Sequence, residues 1–313
     1  MQTVVTGGAG FIGSFVVDGL VAEGNEVLVI DDLSSGNESN LSEAFESGLV
    51  HLEVCDVCAP EASRMITEFG PEVVLHLAAQ VDVQASIEDP VHDAKVNVLG
   101  TVRVLEGARR SGARKVVLAA SGGTLYGDPD PSRLPLGEDE PHAPLSPYGV
   151  SKMAAVDYLA GYEALYGLAG TSLALANVYG PRQDPHGEAG VVAIFANRLL
   201  AGELCTVFGD GAQTRDFIFV ADVAAAFLTA TRKADGRLLN IGTGIETSVN
   251  DLYRVMAASV DGPEEPFRES AKTGEIRRSA LNPAGAIEAL DWSPSTELAA
   301  GVAETLTWFA GRK

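Results

Sequence analysis

Two groups of residues in this sequence combine reactive types with useful spacing. In the first, Gly7, Gly10 and Gly13 stand in a G-x-x-G-x-x-G pattern directly after the β-branched run Thr3-Val4-Val5, and a helical pattern with Phe11, Ile12, Phe15 and Val16 opens inside it. One glycine permits the tight turn off a strand, one lets the backbone approach a pyrophosphate, and one allows close helix–strand packing. The pyrophosphate would then lie on free N–H groups at the positive end of the helix. Glycine spacing alone also fits a strand-turn-helix with no ligand, so context decides. It comes 18 residues after Gly13, where the apolar run 27–30 ends in Asp31 and Asp32. A carboxylate there meets the adenosine ribose hydroxyls and repels a 2′-phosphate, which predicts NAD rather than NADP.

The second group is Tyr148 and Lys152, at i and i+4 on one face of a helix. A phenol titrates near 10, so a base useful at neutral pH needs a drop of about three pH units, or about 4 kcal/mol. A lysine ammonium and an oxidised nicotinamide nearby both favour the phenolate. An exposed Tyr and Lys on a helix would look the same in isolation. The strand ending at Ala120 adds weight, because it delivers Ser121-Gly-Gly-Thr124-Leu-Tyr126-Gly127, with hydroxyls able to meet a sugar oxygen, to the same sheet edge. The combination reads as a hydride-transfer site.

Composition narrows the partners. The chain has 313 residues, 46% of them hydrophobic, enough for one large core or two linked ones. With 22 Lys plus Arg against 43 Asp plus Glu, the formal charge is -21. Nucleic acid and anionic membrane are therefore not expected partners. Apolar runs are too short to span a bilayer, and a strand starting at residue 2 leaves no room for a cleaved signal peptide. Cys55, Cys58 and Cys205 are too few for a disulfide framework, and no second pair or His cluster completes a metal site around C-x-x-C. These features predict a metal-free protein of the reducing cytoplasm.

Elements that must position these groups follow in order. Strand-like runs at 50–54, 73–77, 115–120 and 171–176 alternate with helix-length segments, the pattern of a Rossmann-type doubly wound parallel α/β sheet. Asp56 and Val57 follow the third strand, where the acid would reach the adenine amino group or simply cap a helix. After the fourth strand, Leu77, Ala78 and Ala79 let a dinucleotide lie against the backbone; close packing on the first helix explains the small residues equally well. The segment 91–112 reads as one long helix, with Asn97 off its apolar stripe, either bonded to loops around the cofactor or solvated. Six prolines between 128 and 147 make a loop that feeds a helix at about 146–168. Beyond 176 the alternation weakens. We expect residues 1–176 to form the NAD-binding domain, with about 214–242 returning to it, and 177–313 to form a smaller lobe at the C-terminal edge of the sheet, where such sheets bind ligands.

GGAGFIGS, Asp31, HLAA at 76–79, SGGTLYG at 121–127, YGVSK at 148–152, NVYGPRQDPHGEAG from 177 and FGDGAQTRDFIFVADV from 208 together resemble the extended short-chain dehydrogenase/reductase family. The likeness covers nearly the whole chain and is greatest to the UDP-glucose 4-epimerases within that family. It implies Tyr148 as base, Lys152 holding the tyrosine acidic and binding the nicotinamide ribose, and Thr124 near the sugar C4. It also implies Asn177, Val191 and Arg215 around the nucleotide sugar, with Arg215 on the diphosphate. The chain departs from the family at three places. Gly122 stands where many relatives have the catalytic Ser or Thr, so Ser121 or Thr124 must supply that hydroxyl. Lys272 stands where relatives have an arginine, with Arg277 or Arg278 sharing the phosphate role. Ala174-Leu175-Ala176 replaces an Arg-Tyr-Phe.

The resemblance therefore implies an isomerase of galactose metabolism that interconverts UDP-glucose and UDP-galactose through a 4-keto sugar, using NAD without net consumption. Epimerases of UDP-GlcNAc or UDP-glucuronate are the nearest alternatives. Nucleotide-sugar dehydratases and decarboxylases share the first step, but the resemblance puts their acidic residues where Gly123 and Thr124 stand here. A redox-sensing NAD-binding protein without catalysis typically lacks the Tyr/Lys pair, which is present. By analogy with family homodimers, helices 91–112 and 149–168 pair as a four-helix bundle.

Overall fold

The computed structural model describes residues 1–186, 190–271 and 276–312. Its centre is a seven-stranded, all-parallel sheet. Six strands are β1 (Gln2–Thr6), β2 (Glu26–Asp31), β3 (Val50–Val54), β4 (Val73–His76), β5 (Lys115–Ser121) and β6 (Ala169–Leu175). The seventh, Arg237–Ile241, pairs with β6 at one edge, and the order across the sheet from the other edge is 3-2-1-4-5-6. The order in which strands are added reverses between β1 and β4, a parallel pair from Thr3↔Val73 to Thr6↔His76. Ligand crevices of doubly wound sheets open at this switch point. This is the Rossmann-type architecture expected from the alternating runs.

β-Branched and aliphatic residues fill both faces of the central strands, as strands covered on both sides require. One face packs Val5, Val29, Val117 and Leu173 against helix α1 (Phe11–Ala22) through Val16, Val17 and Leu20. Phe227 and Ala230, from the helix Val220–Ala230, lie in the same apolar layer. The two helices touch closely: a Cβ on Gly19 would stand 2.4 Å from Leu228 Cδ1. The opposite face packs Val4, Ile30, Val74 and Leu118 against Ile66, Leu105 and Leu159.

A separate core forms in the lobe beyond residue 176. It gathers Phe195, Tyr253, Met256 and Phe309 from the helices Val191–Leu200, Val249–Ala258 and Leu298–Ala310. Phe195 and Tyr253 meet edge to face at 5.8 Å between ring centroids. Within 214–242 only Arg237–Ile241 enters the large sheet. Thr214–Arg215 pairs with Thr247–Ser248, and Phe217–Phe219 pairs with Asn177–Tyr179, in small two-stranded pieces.

One sequence expectation needs correction. The helix over 91–112 is not uniform: Pro90–Ala94 and Thr101–Ser111 are α-helical, but Lys95–Gly100 between them is a π-turn. The buried face also differs from the stripe read from the sequence: Asp93, Asn97, Thr101, Val104 and Leu105 are buried, whereas Ala94 is exposed and Val98 and Val102 are half-buried.

The loops between the two cores converge on buried Asp216. Its carboxylate accepts hydrogen bonds from Thr243 Oγ1 (2.6 Å), Thr243 N (2.9 Å), Gly244 N (3.1 Å) and Leu281 N (3.2 Å). Asp216→Ala leaves these donors unpaired and is expected to cost about 3 kcal/mol of unfolding free energy, read as a fall in urea midpoint. Asp216→Asn, which keeps one acceptor, should lose less.

Candidate active site

The β1 turn is shaped by atoms that are missing. Gly7 has φ +70°, and a Cβ there would stand 2.6 Å from Ala78 N; a Cβ on Gly13 would stand 2.0 Å from the Gly7 carbonyl oxygen. No side chain fits either place, so the start of α1 presents bare backbone N–H groups. Asp31, at the end of β2, braces the turn: its Oδ2 accepts from Ala9 N and its Oδ1 from Leu33 N, both at 2.9 Å. Burial nevertheless raises its carboxyl above the usual range, against those hydrogen bonds. Asp56 is lowered: burial pushes it up, but Cys58 N at 2.8 Å and the Lys95 ammonium outweigh that. The Cys58 thiol is pushed up to about 12 by burial and by Asp56.

A cavity of about 640 Å³ runs along the C-terminal edge of the sheet from this turn. Gly7, Gly10, Phe11, Ile12, Gly13, Asp31, Asp32, Asp56, Val57, Leu77, Ala78 and Ala79 line it, and Tyr148 and Lys152 close its far end. Asn97 does not reach it. Its amide instead donates to Gln80 O (3.0 Å) and accepts from Gln80 N (2.9 Å), fixing the loop after β4 from behind.

The Tyr148 helix, Pro147–Tyr166, starts where Ser146 caps it, accepting from Gly149 N at 3.1 Å, with Pro147 in the first turn. Tyr148 and Lys152 are both buried on its inner face. The Ser121 side chain lies near the Tyr148 phenol and lowers it. Lys152 Nζ donates to Ala119 O at 3.1 Å and lies 5.9 Å from the Tyr148 ring centroid. In the protein alone, burial pushes the Tyr148 phenol up to about 12, against the lowering by Ser121, because the anion loses its water. Burial also pushes Lys152 down to about 8.

Of the two candidate hydroxyls, Ser121 is the one that acts on the Tyr148 phenol; Thr124 Oγ1 lies 3.5 Å from Ser121 O, in the short helix Gly122–Leu125. The glycine at 122 has a packing cause, since a Cβ there would stand 2.3 Å from Leu281 Cδ1. Asn177, Val191, Arg215 and Arg278 lie off the cavity wall, although Val178 and Gly190, next to Asn177 and Val191, line it. Arg215 Nη1 donates to Thr214 O at 2.8 Å. Arg278 forms a two-point pair with Glu246 (2.8 and 2.5 Å), and Arg277 one with Asp210 (2.8 and 2.7 Å). Lys272 lies outside the described residues.

Sequence reasoning missed Arg182. Its side chain lines the cavity, pairs with Asp18 on α1 at 2.7 Å and stacks 4.6 Å over the Phe15 ring. Its φ of +68° is rare for an arginine. No periodicity marks such a residue in an irregular loop. Among the described residues no helix is long and apolar enough to cross a membrane, and no His/Cys/Asp/Glu group of three or more is arranged to hold a metal.

A model of the NAD dependent epimerase/dehydratase family matches residues 3–242. The chain belongs to that family. A UDP-glucose 4-epimerase of Mycolicibacterium smegmatis is 48% identical over 313 residues, covering 100% of this chain and 99% of the relative. The crystal structure of a Thermotoga maritima UDP-glucose 4-epimerase with UDP-glucose has a TM-score of 0.96 at 41% identity, covering 100% of this chain and 99% of that one. A Thermus thermophilus UDP-glucose 4-epimerase in complex with NAD has a TM-score of 0.92 at 39% identity, covering 99% of both chains. Family membership agrees with the resemblance carried by the motifs.

Two outcomes follow from this geometry. Gly13→Ala should weaken NAD binding at least tenfold in calorimetry, because the methyl group forces the turn and helix apart. Ser121→Ala should lower turnover by roughly 10-fold or more and Thr124→Ala by less, in steady-state assays.

Proposed function

We propose that this protein is a UDP-glucose 4-epimerase that interconverts UDP-glucose and UDP-galactose. The observation that carries the reading is the Tyr148–Lys152 pair on the wall of the same cavity as a glycine turn that has no room for a Cβ at Gly7 or Gly13. The full-length likeness to UDP-glucose 4-epimerases supports the same reading.

The residues present fit NAD. The Gly7–Gly13 turn would hold the pyrophosphate, Asp31 and Asp32 the adenosine ribose, Asp56 and Val57 the adenine, and Leu77 to Ala79 would lie along the dinucleotide. Bound NAD supplies the group that takes hydride from the sugar and returns it. Tyr148 takes the proton of the sugar 4-hydroxyl as C4 becomes a ketone, and gives it back once the sugar has turned over about its diphosphate. Ser121 hydrogen-bonds the phenolic oxygen, and Lys152 holds positive charge beside it and would reach the nicotinamide ribose. Asn97 fixes the loop beside the cofactor. Thr124, Asn177, Val191, Arg215, Lys272 and Arg278 are assigned to the nucleotide sugar. In this assignment residues 1–176, with the returning strand, bind NAD, and 177–313 bind the sugar nucleotide. Gly123 and Thr124 provide no carboxylic acid to expel a 6-hydroxyl, which favours epimerisation over dehydration.

We further assign the protein to galactose metabolism in the cytoplasm, as a homodimer through the helices that carry residues 91–112 and 149–168. Light scattering at micromolar concentration checks the dimer. Purified protein given UDP-galactose should form UDP-glucose, with inversion at C4 visible by NMR, and no product under NAD saturation would overturn the proposal. Tyr148→Phe should lose roughly 10²- to 10⁴-fold in kcat while NAD affinity stays within a few-fold.

A further inference from the structure

A carboxylate lies buried behind the Tyr148 helix. Asp93, in the helix Pro90–Ala94, is 1% exposed. Its Oδ1 accepts from Asn97 Nδ2 at 3.0 Å and from Gln80 Nε2 at 3.2 Å. Its Oδ2 is buried and meets no donor among the described residues. Asn97, one turn on from Asp93 on the same buried face, also lies with Nδ2 3.1 Å from Ser151 Oγ, and Ser151 Oγ donates to the Tyr148 carbonyl at 3.0 Å. The hydrogen-bond chain from Asp93 thus ends on a residue between Tyr148 and Lys152.

Burying a carboxylate with one oxygen unpaired is costly. Structure alone does not call for it: an asparagine of the same shape would accept the same two hydrogen bonds through its amide oxygen and expose no orphaned charge. What Asp93 adds over that asparagine is its negative charge. We propose that Asp93 is a positioning residue whose buried charge keeps Lys152 an ammonium beside Tyr148. The inference rests on the epimerase reading of this pair.

The groups facing Asp93 make the case specific. Lys152 and Tyr148 stand on the Pro147–Tyr166 helix on either side of Ser151, where the hydrogen-bond chain from Asp93 arrives, and the Asp93 carboxylate raises both. Behind Lys152, His76 at the end of β4 is held neutral between the hydroxyls of Thr6 (2.6 Å) and Thr101 (3.0 Å), pushed down to about 3 by burial and by Lys152. Asp82, in the loop after β4, caps the neighbouring helix through Ala85 N at 2.9 Å. On its own helical segment, His92 lines the cavity and Lys95 reaches Asp56 at 4.0 Å. Asp93 is therefore the charged group acting on both members of the pair, in surroundings where Lys152 already stands near 8.

Removing that charge makes both protons leave more easily, so both limbs of the kcat–pH profile should move toward lower pH. The test is Asp93→Asn, assayed for UDP-galactose epimerisation from pH 5.5 to 9.5 at saturating NAD. The expected result is a shift of both limbs by roughly one pH unit, with NAD affinity by calorimetry unchanged within a few-fold. A profile superimposable on that of the unmodified protein overturns the proposal, whatever the change in melting temperature, because a purely structural Asp93 would alter stability and leave the limbs in place. Asp93→Ser, whose hydroxyl still accepts from Asn97, gives the same reading if the amide variant folds poorly. Absence of turnover in the unmodified protein falls on the proposed function; turnover with an unmoved profile falls on Asp93 alone.

Discussion

Close approach of backbone to backbone at the β1 turn is the constraint on which the rest of the molecule depends. The 2.0 Å between a hypothetical Gly13 Cβ and the Gly7 carbonyl oxygen means that α1 starts in contact with the strand it leaves. The same approach brings Gly7 against Ala78 and so ties β1 to the end of β4, the pair between which the sheet changes direction. Dispersion and hydrogen bonding hold this arrangement only because no side chain intervenes. Asp31 then stiffens the turn with two backbone hydrogen bonds. The crevice, the free N–H groups and the small residues after β4 are consequences of one packing choice.

At the other end of the cavity electrostatics dominate. Burial acts with opposite sign on the two members of the pair, raising the phenol and lowering the ammonium, because each is penalised in its charged form. The protein by itself therefore favours phenol over phenolate, and the nearby Ser121 offsets only part of that preference. Charge brought next to the phenol by a bound ligand is worth more here than in water, since the surroundings screen it poorly. A site of this kind stays quiet until its ligands assemble.

Much of this was readable from residue order. β-Branched runs in β1 to β6 gave the parallel sheet, and the spacing of Gly7, Gly10 and Gly13 with Asp31 located the cavity, because glycine and a strand-end acid have few other reasons to recur at that distance. Tyr148 and Lys152 were visible as an i, i+4 pair. What stayed hidden depends on tertiary burial or on local backbone that composition does not encode. The π-turn at Lys95–Gly100 carries no composition of its own, and the burial of polar Asp93, Asn97 and Thr101 on one face runs against the apolar stripe read from the sequence. The glycine at 122 is explained only by where Leu281 packs, far along the chain. The sign of the Tyr148 shift followed from desolvation, which no spacing reveals. Arg182 lies in an irregular loop and is recognisable only by its contacts with Asp18 and Phe15.

The strand Arg237–Ile241 lies beyond β6, and the helix Val220–Ala230 packs on α1, so the polypeptide leaves its first core, begins the second with Val191–Leu200, comes back, and only then completes the second. A cut after residue 176 would strip β6 of its neighbour and leave an apolar edge open to pairing with other molecules. The lobes are thus not interchangeable parts in a genetic sense. A recombinant that borrowed a new lobe from a relative would inherit a foreign edge strand and a foreign partner for α1, and would have to reconcile both before it gained a new specificity.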